Sequence, residues 1–178
     1  VFLGGGAVSG RVVSVNYTTA NDTAFAPGDY TSTTGTATII VGQNSRTFNI
    51  PVIGDTLDEA DETFTVTISA PTNATLGTTL GTGTIEDNDP TPNLSVQNVS
   101  ISEGNSGTTN MTFTVTLTNP SAQSIQVDYA TADNTADAGA DYASMNGTLT
   151  FVSGDVEETI TISIMGDVLN EANERFFI

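Results

Sequence analysis

The chain has 178 residues, with 21 acidic side chains against three arginines (Arg11, Arg46 and Arg175), a net charge of −18, and no Lys, His or Cys. So acidic a surface cannot neutralise phosphates, which excludes nucleic acid as a partner and disfavours adsorption to anionic membranes. Without imidazole or thiol there is no thiol or histidine catalysis, no zinc site of the common kinds and no stabilising disulfide.

The dominant feature along the chain is self-similarity. Residues 15–66 lie over 127–178 without a gap, and 23 of those 52 positions are identical. So long a period denotes an array of whole domains, each able to own a core. After the Gly-rich opening, apolar residues fall at every second position in 48–52 and 64–68, and Thr fills many of the places between. This period-two pattern predicts half-buried strands. Residues 81–85 are read as the last strand of a first domain. The run Asp87, Asn88, Asp89, Pro90, Thr91, Pro92 is read as a short, stiff connector. Residues 94–96 would open the second domain, and the same alternation marks 113–117 and 160–164. Turn signals at 42–44, 104–107, 119–121 and 153–155 separate the strands. The expected fold is all-β: tandem immunoglobulin-like antiparallel β-sandwiches over 1–90 and 91–178. The first is expected to lack its first strand and the second its last strands. No apolar run is long enough for a membrane-spanning helix.

Carboxylates gather in few places. One cluster is Asp55, Asp58, Glu59, Asp61 and Glu62, and its copy is Asp167, Glu171 and Glu174; a third is Glu86, Asp87 and Asp89. Like charges about 4 Å apart cost on the order of 1–4 kcal/mol near a surface, and a divalent cation ligated by oxygen would relieve that repulsion. Solvated surface charge is the other reading. Asp29 and Asp141, each before a Tyr, are read either as turn formers or as ligands.

In order along the chain stand Tyr129-Ala130-Thr131-Ala132-Asp133-Asn134-Thr135-Ala136, Asp141-Tyr142 and Gly147-Thr148, with Ile53-Gly54-Asp55 through Glu62 and Asp87-Asn88-Asp89 in the first copy. With Ser102-Glu103-Gly104, they resemble the Calx-beta domain. The resemblance implies a seven-stranded sandwich with Ca2+ held by acidic loops at one tip. Its implied ligands in the first domain are Asp29, Asp55, Glu59, Glu62, Asp87 and Asp89, with the carbonyl of Leu57. In the second they are Glu103, Asp141, Asp167, Glu171 and Glu174, with the carbonyl of Leu169. Gly54 and Gly166 depart from the pattern, standing where strong binders of the family carry a further Asp. Asn88, Asn170 and Asn173 each remove a charge.

The function expected from the repeat is structural. It is a non-enzymatic segment of a large extracellular or cell-surface protein, bacterial in origin, in which calcium at acidic tips stiffens a stalk or filament. Its partners would be neighbouring repeats, or further copies in a fibre. The alternatives are an adhesive module for a glycan or protein, and a calcium-sensing regulatory domain like those of sodium–calcium exchangers.

Overall fold

The computed structural model describes residues 1–6 and 8–178. The chain divides into two units: Val1–Asp55 with Ala60–Asp87, and Thr56–Glu59 with Asn88–Ile178. Every extended element is an antiparallel strand, and no helix among the described residues is long and apolar enough to cross a membrane.

Unit 1 holds β1 (Val13–Asn21), β2 (Thr34–Ile39), β3 (Glu62–Thr72) and β4 (Leu80–Ile85) in one sheet of order β2-β1-β3-β4. Two glycines are explained by their cross-strand partners. Gly35 faces Tyr17, where a Cβ would stand 2.7 Å from the phenol oxygen, and Gly83 faces Phe64, whose ring would lie 2.4 Å from a Cβ. Each aromatic ring lies across the bare backbone opposite it, a packing that any side chain would block.

Unit 2 holds β5 (Leu94–Val96), β6 (Thr108–Leu117), β7 (Ile125–Ala130), β8 (Asn146–Phe151) and β9 (Glu157–Met165). Sheet β5-β6-β9 and sheet β7-β8 close on one core. Met111, Phe113, Val115 and Leu117 of β6 and Ile160, Ile162 and Ile164 of β9 meet Leu149 and Phe151 of β8 there. Alternation sets this up, since period-two side chains from each strand point to one face.

Because the units are copies, their differences are informative. β1 and β2 match β7 and β8, but 45–53, the counterpart of β9, forms no strand apart from single bridges at Ser45 and Val52. The expected strand over 48–52 is therefore absent, for a nonlocal reason. β9 pairs along its whole length with β6, whereas in unit 1 only 44–46 find backbone partners of that kind, at Val1–Leu3, and 47–50 have no such ladder. The bridge Tyr30–Val52 is retained and matches Tyr142–Ile164.

Tyr17 and Tyr129 are half-buried, and Tyr129 lies over Gly147 as Tyr17 does over Gly35. The deep positions belong to Tyr30 and Tyr142, which are at most 1% exposed. Tyr30 stacks on Phe64 with centroids 4.6 Å apart, and Tyr142 stacks on the matching Phe176 at 4.3 Å.

Candidate metal centre

In unit 2 the candidate ligands come from three separated stretches. Glu103 precedes the Gly104–Gly107 turn into β6, Asp141 ends the loop that follows β7, and Asp167, Glu171 and Glu174 follow β9. The fold brings them together as two overlapping groups. Glu103, Asp167 and Glu171 offer carboxylate oxygens all within 4.8 Å of one another, and so do Asp141, Glu171 and Glu174. Glu171 belongs to both. Burial is partial at Glu103 and Asp141, and the other three are exposed.

The loop carrying Asp141 is braced twice. Asp141 Oδ2 accepts the N–H of Asp137 at 2.6 Å. Asp133 Oδ1 accepts the N–H of Ala138 at 2.9 Å and the hydroxyl of Tyr142 at 2.5 Å. Unit 1 repeats the device: Asp29 Oδ2 accepts the N–H of Phe25 at 2.5 Å, and Asn21 Oδ1 accepts from Ala26 N–H at 3.0 Å and Tyr30 Oη at 2.8 Å. The two readings of Asp29 and Asp141 are thus compatible. One oxygen holds the turn while the carboxylate stands among the acidic groups. Asn21 and Asp133 are positioning residues that the sequence reading missed. Their signal was there: an acceptor side chain at one repeat position, nine residues before a Tyr.

Charge crowding and partial burial act on two of these carboxyls. Partial desolvation, then the charges of Asp167, Asp141 and Glu103, push the Glu171 carboxyl above its ordinary range. Glu174 is raised by desolvation and by Asp141. The hydrogen bond to Asp133, with burial, raises the Tyr142 phenol.

The remaining candidates lie on other stretches of the chain. In unit 1, Asp29 and Glu62 offer oxygens within 4.8 Å of each other. Asp55 is exposed, Leu57 and Glu59 lie on the Thr56–Glu59 stretch grouped with unit 2, and Asp89 opens unit 2 half-buried. Asp87 donates its N–H to Asp61 Oδ1 at 3.0 Å. Leu169 uses its N–H, donated to Asp167 Oδ1 at 2.6 Å. Gly166 is a close backbone approach, where a Cβ would meet the carbonyl oxygens of Glu103 and Gly104 at 2.7 and 2.8 Å; Gly54 faces open space.

The donor set fits a hard divalent cation. It is all oxygen, without His or Cys. Two oxygens bound to one calcium at about 2.4 Å can stand no more than about 4.8 Å apart, which is the limit these groups meet.

Comparison with known proteins agrees with the fold. The Calx-beta domain profile matches residues 5–89 and 86–178. Sodium/calcium exchanger 1 of Bos taurus is 29% identical over 192 aligned positions, covering 94% of this chain and 19% of that protein. Sodium/calcium exchanger 2 of Rattus norvegicus is 42% identical over 52 residues, 29% of this chain and 6% of its own. The chain thus spans less than a fifth of these relatives. Among solved structures, the calcium binding domain CBD12 of CALX1.1 superposes with a TM-score of 0.45 at 24% identity, covering 85% of this chain and 62% of that one. CBD12 from CALX1.2 gives 0.44 at 26%, covering 87% and 64%.

These relatives correct two expectations. The matched proteins are exchangers, so the stalk or filament reading gives way to the regulatory alternative, and the extracellular placement is overturned with it; a bacterial origin is not shown. The repeat that suggested a long array is the tandem arrangement of this family, and the chain belongs to the Calx-beta family, as two consecutive domains.

Proposed function

We propose that the chain is a calcium-responsive regulatory module without enzymatic activity, whose acidic loops bind Ca2+ and change order as they do so. The observation that carries this reading is the pair of overlapping three-carboxylate groups in unit 2, joined through Glu171. Bound calcium would supply the positive charge that this crowding calls for. Glu103, Asp167 and Glu171 would hold it on one side, and Asp141, Glu171 and Glu174 on the other. Asp29 and Glu62 are the corresponding ligands of unit 1, with Asp55, Glu59, Asp87, Asp89 and the carbonyls of Leu57 and Leu169 as further candidates.

The regulatory step follows from electrostatics. Without the ion, repulsion among Asp167, Glu171 and Glu174 opposes docking of the 167–174 run against the loop that carries Asp141. Neutralisation favours it, and the resulting change in order is the signal. The effector would be a transport protein of the exchanger kind, and the partners needed within the module are its own tandem neighbours.

Calorimetric titration of the chelator-stripped chain with CaCl2, repeated with MgCl2, tests the binding. Hydrogen exchange over 167–174 tests the response. Saturable calcium binding with slowed exchange in that run is the expected result. Absence of calcium heat up to millimolar concentration would refute the proposal.

A further inference from the structure

The turn that carries Asp141 is headed by Asp137, a carboxylate that belongs to neither three-membered group. Two hydrogen bonds tie residue 137 to Asp141. Its N–H donates to Asp141 Oδ2 at 2.6 Å, and its carbonyl accepts the Asp141 N–H at 3.0 Å. Unit 1 builds the same turn: Phe25 N–H donates to Asp29 Oδ2 at 2.5 Å, and the Phe25 carbonyl accepts the Asp29 N–H at 2.9 Å. The frame is common to both copies, and the side chain at its head is what differs. Packing does not explain the difference, since Asp137 is exposed and Phe25 is 60% exposed.

Covalent geometry bounds where the Asp137 charge stands. The 2.6 Å hydrogen bond, one N–Cα bond and the reach of an Asp side chain keep its carboxylate within about 8 Å of Asp141 Oδ2 in every rotamer. A charge at that range attracts a divalent cation held by Asp141 without touching it. It also reaches a second ligand: behind desolvation, Asp141 and Glu171, Asp137 acts on the Glu174 carboxyl. The copies redistribute charge around this position. Asp58 and Asp61 of the first acidic run are Asn170 and Asn173 in the second, while the second copy gains a carboxylate on the turn.

We propose that Asp137 sets the calcium affinity of unit 2 by attraction through space and not as a ligand, a contribution that the turn of unit 1, headed by Phe25, lacks. The inference rests on calcium binding at these acidic loops, as argued above. Because the turn is fixed by backbone hydrogen bonds, the charge is in place before an ion arrives. Its effect is therefore one of field strength, and it follows the ionic strength of the solution.

The test compares the full chain with Asp137→Asn, which removes the charge and keeps the backbone bonds, and with Asp137→Phe, which installs the side chain of the first copy. Amide hydrogen exchange at 167–174 is followed as CaCl2 is added to chelator-stripped protein, in low salt and in 1 M KCl. Unchanged protection of the β6–β9 ladder in chelator will show that both variants are folded. In low salt both should need about three- to fivefold more calcium for half-maximal slowing, the effect of one charge about 10 Å from a divalent ion in water. In 1 M KCl, where the screening length is about 3 Å, wild type and variants should coincide. Equal responses in low salt would overturn this inference and leave calcium binding standing. So would a deficit that persists in 1 M KCl, the mark of a direct ligand or a structural role, or a loss in Asp137→Phe alone, the mark of shape. A wild type that does not respond to calcium refutes the proposed function, and this inference with it.

Discussion

Replacing Glu171 by Gln should damage calcium binding in unit 2 more than any other single carboxylate change. Glu103→Gln touches one of the two groups and Glu174→Gln the other, whereas Glu171 contributes to both. The size of the effect follows from linkage. Unit 2 has about 95 residues, and a domain of that size shifts its midpoint by about 4–8 °C per kcal/mol. Free calcium at about 100 times Kd should therefore raise the midpoint by about 10–20 °C for one site. If losing a charged ligand weakens a site tenfold, the same calcium concentration delivers about half that rise. The two flanking variants should each lose this at one group, and Glu171→Gln should lose it at both. The assay is thermal unfolding in chelator and in calcium for the wild type and three variants, with calorimetric stoichiometry alongside. In chelator, Glu171→Gln should be no less stable than wild type, because it relieves repulsion. If its calcium response equals that of Glu174→Gln, the carboxylate is not shared and the reasoning fails.

The raised carboxyls of Glu171 and Glu174 give a pH dependence of opposite sign with and without metal. Their folded pKa values lie above the unfolded ones, so this contribution is fully present below the unfolded value and is lost as pH rises through the folded one. In chelator the midpoint should therefore rise as pH is lowered from 7 towards 5; in limiting calcium it should fall, since protons then displace the ion. Scans at both settings, with Glu171→Gln/Glu174→Gln as control, decide this. Gly54→Asp and Gly166→Asp should diverge. The first has room and should tighten calcium binding in titration, while the second meets the Glu103 and Gly104 carbonyls and should lower the midpoint in chelator. Ile162→Ala empties a fully buried position in the unit 2 core and should cost about 2–5 kcal/mol by denaturant titration; a loss below about 1 kcal/mol would mean that the core is looser than described.

Strands were legible where the apolar period and the ladder agree. Residues 64–68, 81–85, 94–96, 113–117 and 160–164 all fall in strands, since alternation records which face is buried. The failure at 48–52 has the same pattern but no ladder, and pairing partners are remote in sequence. The acidic residues were legible as a set because charge is visible without coordinates. What joins Glu103 to Glu171 is the antiparallel meeting of the β6 start with the β9 end, Thr108 against Met165, which no local window reports. Asp133 was passed over because a carboxylate at a strand end reads as an ordinary turn residue; only the closed loop shows its oxygen between Ala138 N–H and Tyr142 Oη. The functional setting was the least legible. A repeated, acidic, cysteine-free sandwich suits a spacer as well as a regulator, and local pattern does not separate them.

The braced loop over 133–142 has a consequence for how an ion would be received. Its carboxylate side is built before any metal arrives, because Asp141 and Asp133 spend their oxygens on backbone N–H groups of the same loop. The facing run 167–174 is largely exposed and forms no strand. The clamp thus has one fixed jaw and one movable jaw. Ordering entropy on capture falls almost wholly on the movable side, so calcium arrival would be transmitted along the chain that leads away from Glu174, and Phe176, stacked on Tyr142, is the first rigid point that motion would meet.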